Sequence, residues 1–278
     1  MDLSWSQNLI YGALTGLTEI LPVSAQAHRL LLRKIFGAHS VPGITLLLIH
    51  IGIFAAVFVC CQNHIVRIHR AKKLSRIPKK RRKRPLDMVS LMDYSLLKTM
   101  VLPLILAFLF FRKIVPHENN IVLVSILLLI NGIILYVPQY LPGSNKDSRS
   151  LSRVEGLLIG LGGAAAALPG VSGIGAAASI GEICGEDRTY SLNMALLLEL
   201  AVLVLLIIVD VLSIAEVGLA GFSFMLLLQS LLAAVSAFCM AMLGIKFLRR
   251  IVADNGFSVF SYYCWGFALF SLILTLFA

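Results

Sequence analysis

Six long apolar segments constrain the fold of this chain more than any other feature. They cover roughly residues 43–61, 95–111, 121–140, 192–213, 223–245 and 258–278. Each is about as long as a helix must be to cross the hydrocarbon core of a bilayer. Hydrophobic residues make up 59% of the 278 residues and charged residues only 14%. A soluble protein contains a larger share of charged residues than this. The sequence therefore predicts an all-α integral membrane protein with six transmembrane helices.

Two further stretches, at about residues 6–36 and 155–185, are rich in Gly and Ala and contain Pro22 and Pro169. Polar residues follow each proline, and irregular backbone at membrane depth is tolerated only where it is buried in protein or lines a cavity. We therefore interpret both stretches as re-entrant helical hairpins rather than as full spans.

The two hairpins resemble each other, because residues 21–24 read LPVS and residues 168–172 read LPGVS. Three spans separate them, so the two copies are expected to have opposite orientations. This predicts a single membrane domain, residues 1–278, built as an inverted repeat. Repeat 1 covers about 1–140 and repeat 2 about 154–278, with the site near their interface. Chance similarity of two proline-broken helices is the alternative.

The net charge of +10 is distributed unevenly, since eleven of the 24 Lys and Arg residues lie between Arg67 and Arg84. This run lies between two apolar segments, which argues against nucleic acid as a partner. The positive-inside rule predicts a basic cytoplasmic loop over residues 62–90, in contact with anionic membrane lipid. The five cysteines lack metal-type spacing and are interpreted as small apolar residues.

The first hairpin contains three residues that indicate chemistry, namely Glu19, Ser24 and His28. An ionised carboxylate inside an apolar helix is costly, so Glu19 is predicted to be functional or paired. Ser24 and His28 follow the break at helical spacing, and a cavity holding all three would bind phosphate and move protons. Alternatively, Ser24 caps the second half-helix and His28 marks the membrane interface beside Arg29.

The second hairpin predicts an anion site. Gly170, Gly173 and Gly175 allow backbone N–H groups to approach a phosphate, and Ser172 adds a hydroxyl. The helix that begins here directs its positive end at the loop. Glycine is also common where membrane helices pack closely, which is the alternative interpretation.

Other ionisable residues lie in or beside the apolar segments. Glu182, Glu199 and His50 are candidates for a proton path, because ionisable side chains inside membrane helices often mark such paths. A helix–helix hydrogen bond is an equal alternative for His50. Asp210 lies near the end of its span and is interpreted as an interface residue.

These motifs resemble those of the undecaprenyl pyrophosphate phosphatase family, also called the bacitracin-resistance family. The family pattern E-G-x-T-E-F-L-P-[VI]-S-S-x-G-H aligns with residues 15–28, TGLTEILPVSAQAH. The pattern P-G-x-S-R-S-G-A-T aligns with residues 169–177, PGVSGIGAA. The resemblance extends over nearly the whole chain. It implies a multi-pass protein of the bacterial plasma membrane that hydrolyses undecaprenyl pyrophosphate and recycles the lipid carrier for peptidoglycan synthesis.

The resemblance also implies roles for individual residues and partners. The implied catalytic residues are Glu19, His28 and Ser24. The implied substrate-binding residues are Ser172, Gly170, Gly173, Gly175, Thr15 and Gln26. A divalent cation, Mg²⁺ or Ca²⁺, is the implied cofactor, with Glu19 as its ligand. The expected partners are a polyprenyl pyrophosphate lipid and, for assembly, a second copy in a homodimer.

The chain departs from the family at several motif positions. Where the family has Glu, Ser, Arg, Ser and Glu, this chain has Thr15, Ala25, Gly173, Ile174 and Asn193. Glu199 appears where the family is apolar. Phosphoryl transfer needs developing negative charge to be stabilised, usually by arginine or a metal, so these losses weigh against ordinary phosphatase chemistry. Arg29 and Arg188 are the only local candidates to replace the missing charge.

Three functions follow from these observations. The first, which the family resemblance favours, is a phosphatase with a rebuilt site. The second is a hydrolytically inactive polyprenyl-phosphate transporter or flippase on the same scaffold, coupled to protons through Glu19, His28 and Glu199. The third is an inactive binding or scaffold protein.

Overall fold

A computed structural model describes residues 3–38, 40–82, 84–115, 120–141, 146–217 and 223–277 of the chain. These residues form ten α-helices: α1 (Trp5–Ile20), α2 (Ala25–Ile35), α3 (Gly43–Ser75), α4 (Met88–Ile114), α5 (Ile121–Tyr136), α6 (Arg153–Ala164), α7 (Gly173–Ile183), α8 (Arg188–Val217), α9 (Phe224–Asn255) and α10 (Ser258–Phe277). Short 3₁₀ segments cover Lys79–Arg81, Val137–Tyr140 and Ala165–Ala167. Within the described ranges no sheet is present, and the only extended pairing is an isolated bridge between Lys146 and Glu186.

Within the described part of the chain, five helices are long and apolar enough to cross a membrane, namely α3, α4, α5 with its 3₁₀ extension, α8 and α9. Helix α10 is apolar as well, and its apolar stretch Ser258–Leu274 is shorter. Large apolar side chains such as Leu102, Leu106 and Phe110 of α4 are exposed, as expected of a surface that faces lipid. The prediction of an all-α, multi-pass membrane protein is confirmed at this level.

Local sequence explains where the helices begin. Ser4 and Ser152 form capping boxes with Gln7 and Glu155, so α1 and α6 begin with their first N–H groups satisfied. Asp87 caps α4 by accepting a hydrogen bond from the backbone N–H of Ser90.

Each predicted hairpin consists of two short helices separated by a break. The first break, residues 21–24, lies between α1 and α2, and the second, residues 168–172, lies between the 3₁₀ end of α6 and α7. Both breaks contain a residue with positive φ, Ser24 at 63° and Gly170 at 109°. A Cβ on Gly170 would also collide with the carbonyl oxygen of Val124 in α5. Glycine is therefore required at this position of the second break.

The helices pack in pairs around the two breaks. Helix α1 packs on α9 and α6 packs on α4, while α3 contacts α8 and α9, and α5 contacts α10. Glycines permit close approach: Gly16 of α1 lies against the backbone of Ala237 in α9, and Gly160 of α6 lies against the backbone of Met100 in α4.

The prediction of a basic loop over residues 62–90 is wrong for its first part. Helix α3 continues to Ser75, so residues 62–75 are helical. At this end of the bundle His64 of α3 and Tyr190 of α8 both hydrogen-bond to Asp93 of α4, at 3.1 Å and 2.9 Å. The cationic end of α3 therefore lies beside the beginnings of α4 and α8.

Candidate functional site

The two helix breaks meet at one small cavity. Its walls come from α1 and α2 (Thr18, Glu19, Ala25, Gln26), from the second break and its flanks (Ala166, Val171, Ser172, Gly173) and from α8 (Glu199). Its volume is about 20 Å³, which is enough for one water molecule, since a water needs about 10–15 Å³. The structure thus brings together five of the predicted site residues: Glu19, Gln26, Ser172, Gly173 and Glu199.

One side chain connects the two breaks. Asn131 of α5 is completely buried, and its Nδ2 donates to the carbonyl oxygen of Pro22 at 3.0 Å. Its Oδ1 accepts from the backbone N–H of Ser172 at 3.0 Å. The thiol of Cys264 in α10 lies 3.6 Å from the same Pro22 oxygen. These bonds satisfy backbone groups that the breaks leave outside the helices.

Close packing also holds the breaks together, and glycine makes it possible. A Cβ on Gly175 would lie 2.7 Å from Cβ of Pro22, so the first break touches the start of α7 at this point. A Cβ on Gly173 would lie 2.7 Å from Cβ of Ala166 and 2.9 Å from the carbonyl oxygen of Gly163. The position at which the family carries arginine therefore has no room for a side chain in this packing.

Ser172 and Gly173, at the start of α7, form one edge of the cavity. Ser172 is the N-cap of α7, and its Oγ accepts from the N–H of Gly175 at 3.2 Å. The first N–H groups of a helix have no intrahelical partner and carry partial positive charge. At the opposite wall Gln26 Nε2 donates to the carbonyl of Ala166 at 3.5 Å, while its buried Oε1 has no partner among the described residues.

Ser24 caps the second half of the first hairpin, as one of its two interpretations predicts. Its Oγ accepts a hydrogen bond from the N–H of Ala27 at 3.4 Å. Its φ of 63° is unusual for a residue other than glycine, and such strain is concentrated at functional sites. Ser24 is 2% exposed and is not among the residues that line the described cavity.

His28 points away from that cavity, towards α10. Its Nδ1 lies 2.8 Å from the carbonyl oxygen of Ser24, which can only accept, so Nδ1 carries the proton. Its Nε2 then accepts from the hydroxyl of Tyr263 at 2.7 Å. The ring also stacks on Phe267, with the centroids 4.3 Å apart. The structure therefore joins His28 to Ser24, but it does not bring either to the cavity wall formed by Glu19.

Of the residues predicted for a proton path, Glu199 lines the cavity and His50 is connected to Glu19. His50 lies near Glu19 through Arg29: Arg29 Nη1 is 3.4 Å from Glu19 Oε2 and 3.5 Å from His50 Nε2. On the other side of its ring, His50 Nδ1 lies 2.5 Å from Asp210 Oδ2. Asp210, interpreted from the sequence as an interface residue, therefore belongs to this cluster.

Two other predicted residues, Glu182 and Thr15, do not line the cavity. Glu182 lies at the far end of α7, where its Oε1 is 3.6 Å from Nε of Arg188. Thr15 lies one turn before Glu19 in α1, is 1% exposed, and its Oγ1 has no partner within the described part of the chain.

Sequence reasoning missed two residues that shape the site, Asn131 and Tyr263. Asn131 is the single amide in the apolar run ILLLINGIILY, and a lone polar residue in such a run is a detectable signal. Tyr263 lies in the pair Tyr262–Tyr263 near the start of α10, where interfacial tyrosines are common, so its contact with His28 carries no sequence signal.

The match to a family model agrees with these motifs. The model described as bacitracin resistance protein BacA matches residues 8–270, which include both breaks and all the cavity residues. The chain belongs to the BacA family. Three relatives, each called undecaprenyl-diphosphatase, illustrate the degree of similarity. The protein from Methanobrevibacter smithii is 28% identical over 266 residues, 93% of each chain. That from Nocardioides sp. is 31% identical over 195 residues, 70% of each chain. That from Halothermothrix orenii is 25% identical over 269 residues, 96% of each chain.

Proposed function

We propose that this BacA-family protein hydrolyses undecaprenyl pyrophosphate to undecaprenyl phosphate and inorganic phosphate. The observation that carries the proposal is the cavity in which two carboxylates, from Glu19 and Glu199, face the helix N-terminus at Ser172 and Gly173. The names of the relatives support the same reaction and substrate.

The second break is suited to the phosphate groups. The N–H groups at the start of α7, the Ser172 hydroxyl and the Gln26 amide are hydrogen-bond donors at the cavity. Such fixed donors stabilise the negative charge that develops on the phosphate oxygens in the transition state. Ser172 acts here as a phosphate ligand, and Gly173 contributes through its backbone.

The two carboxylates divide the proton transfers between them. Two carboxylates at one small cavity repel each other when both are ionised, so we assign the reaction one ionised and one protonated carboxyl group. The ionised carboxylate accepts a proton from the attacking water as the water oxygen bonds to the terminal phosphorus. The bond from that phosphorus to the bridging oxygen breaks, and the protonated carboxyl hydrogen-bonds to the departing phosphate oxygen.

Ser24 and His28 act as positioning residues in this proposal. The Ser24 cap and the hydrogen bond from His28 to the Ser24 carbonyl hold the strained turn between Glu19 and Gln26. That turn sets the direction in which α2 leaves the break, and hence the position of Gln26 at the cavity.

The oxygen atoms at the cavity fit a divalent cation that would be held partly by the protein and partly by the substrate. The described residues contain no group of three or more His, Cys, Asp or Glu side chains arranged to hold a metal. Mg²⁺ is commonly held by one or two carboxylates together with substrate phosphates. Glu19 and Glu199, with the unpaired Gln26 Oε1, match that set. A bound cation would neutralise charge on the pyrophosphate.

The lipid tail has apolar surface beside the site. A cavity of about 250 Å³ lies between α2, α5 and α10. Its walls include Ala27, which follows the cavity residue Gln26, together with Leu30, Val124 and Leu274. This lining is of the kind that isoprenyl units would contact.

In the topology that we propose, α3, α4, α5, α8, α9 and α10 cross the plasma membrane of a bacterium, and the α1–α2 and α6–α7 pairs are re-entrant. The helix contacts support a repeat. Helix α1 packs on α9 as α6 packs on α4, and the matching helices α3 and α8, like α5 and α10, pack on each other. The repeats then cover about 1–140 and 154–278, and residues 142–145 of the linker lie outside the described residues.

The test is phosphate release from a polyprenyl pyrophosphate by the purified protein in detergent, with Mg²⁺, with Ca²⁺ and with a chelator. We expect release by the wild type and a loss of at least about 100-fold in Glu19→Gln and Glu199→Gln, the scale of general acid–base catalysis. Glu182→Gln is the matched control, because Glu182 pairs with Arg188 away from the cavity.

Absence of release from a folded wild type that still binds the lipid would overturn hydrolysis and favour transport. No contact among the described residues favours transport, so that function is considered only as this outcome. Equal loss in the Glu182→Gln control would show that the carboxylates act through stability rather than chemistry.

A further inference from the structure

A buried series of ionisable side chains lies behind the cavity wall. Glu19 faces the cavity, Arg29 contacts Glu19, His50 contacts Arg29, and Asp210 contacts His50. These residues come from α1, α2, α3 and α8. Arg29 is 7% exposed and His50 is 2% exposed, so the two central members of the series are shielded from solvent. Burying an ionisable group in an apolar segment costs free energy unless the group is paired. Such residues are therefore usually functional.

The hydrogen-bonding capacity of the side chains fixes the order of the series. Arginine has only donors, so His50 Nε2 must be the acceptor in its 3.5 Å contact with Arg29 Nη1. The proton of a neutral His50 ring is then on Nδ1, which donates to Asp210 Oδ2 at 2.5 Å. Asp210 selects this tautomer, and the tautomer gives Arg29 an acceptor behind it. The same Nη1 donates to Glu19 on the cavity side at 3.4 Å.

The negative charge at the cavity would be balanced by a positively charged side chain such as Arg29. The cavity presents two carboxyl groups, and a pyrophosphate adds further negative charge. Among the ion pairs of the described residues, the one between Arg29 and Glu19 is the one that reaches the cavity wall. Arg188, the other basic candidate, is paired with Glu182 at the far end of α7. Gly173, whose place in the packing excludes a side chain, supplies no charge.

We propose that Arg29 binds the pyrophosphate group of the lipid, and that His50 and Asp210 are positioning residues that hold its guanidinium at the cavity. Arg29 shares Nη1 between Glu19 and the incoming phosphate oxygen, so the positive charge on α2 replaces the charge that α7 lacks. The cavity of about 20 Å³ is smaller than a phosphate group, and movement of the Arg29–Glu19 pair makes room for it. This inference rests on the proposed function for its ligand, but binding tests it without hydrolysis.

The experiment measures binding of geranylgeranyl pyrophosphate and of geranylgeraniol to purified protein in detergent with a chelator present. One charge-assisted hydrogen bond corresponds to roughly 10–100-fold in affinity. We expect Arg29→Gln to weaken binding of the pyrophosphate by that factor and to leave binding of the alcohol unchanged. Arg29→Lys, which keeps the charge but loses the planar geometry, should retain part of the affinity.

Asp210→Asn tests the positioning role, because Asp210 does not line the cavity. We expect about fivefold weaker binding of the pyrophosphate, within the range for residues that act through others. The same substitution in an Arg29→Gln background should have no further effect, since the residue through which it acts is gone. A merely structural role would instead give additive losses for both ligands. Arg188→Gln is the matched control and should bind both ligands as the wild type does.

The outcomes separate this proposal from the proposed function. Arg29-dependent binding without phosphate release would sustain the role of Arg29 and overturn hydrolysis. Phosphate release with unchanged binding in folded Arg29→Gln would do the reverse. Should Arg29→Gln fail to fold because Glu19 is left buried and unpaired, Arg29→Lys and Asp210→Asn decide: wild-type affinity in both overturns the proposal.

Discussion

Replacement of Asn131 by Leu removes the amide that joins the two helix breaks while keeping a similar side-chain volume. The N–H of Ser172 loses its 3.0 Å acceptor, and Pro22 retains only the weak thiol contact from Cys264 at 3.6 Å. A buried polar group left without its partner costs about 1–3 kcal/mol, so the two groups together should lower the free energy of unfolding by about 2–4 kcal/mol. Phosphate release should fall as well, because both breaks line the cavity.

The assay is unfolding by sodium dodecyl sulfate in mixed micelles, followed by the fluorescence of Trp265 in a Trp5→Phe background. Trp265 reports on the same region, because its Nε1 donates to the carbonyl oxygen of Leu129 in α5 at 3.2 Å. Ser125→Ala on α5 is the control, since Ser125 Oγ is buried with no partner among the described residues and its removal should be nearly neutral. Wild-type stability in Asn131→Leu, or an equal loss in Ser125→Ala, would refute the reasoning.

Three further predictions concern the breaks and the adjoining turn. Gly173→Ala places a Cβ 2.7 Å from Cβ of Ala166 and should cost about 1–3 kcal/mol of unfolding free energy, with partial recovery when Ala166→Gly is added. Burial raises the pKa of Glu186, in the turn between α7 and α8, to about 7. The folded state then binds more protons than the unfolded state between about pH 4.5 and pH 7, so stability should fall as the pH rises through that window. Glu186→Gln should remove this fall and raise stability at pH 8, which unfolding titrations at pH 4 and pH 8 would reveal. Ser24→Gly loses the cap but relieves the strain of φ 63°, so its stability should stay within about 1 kcal/mol of wild type, and a loss of phosphate release beyond tenfold would show that the hydroxyl does more than cap α2.

The sequence predicted the helical class, the two breaks and most of the cavity, because these depend on local patterns. The apolar runs specify helices, and Pro22 and Pro169 mark where the backbone leaves them. Glu19 is identified as a carboxylate in an apolar helix, Ser172 by its position beside Pro169, and Gln26 through the family resemblance. Glu199 is identified because a carboxylate in an apolar run is conspicuous.

What the sequence did not predict depends on side-chain direction across helices far apart in the chain. His28 lies on the side of α2 that faces α10, whereas Gln26 faces the cavity, and no local pattern distinguishes these directions. The partnership of Asp210 with Arg29 passes through His50 and joins three helices, so none of the three local sequences contains it. The extension of α3 to Ser75 was missed because a basic segment is compatible with either helix or loop.

The single amide of Asn131, bonded to one break through its nitrogen and to the other through its oxygen, makes the two halves of the site mechanically dependent. A displacement of one break strains the hydrogen bond to the other. Neither break can therefore move alone without leaving a buried backbone group without its hydrogen-bond partner. A ligand that contacts only one break will therefore restrict the motion of both. The free energy of binding a phosphate group then includes the entropic cost of ordering the other break, which the ligand does not contact.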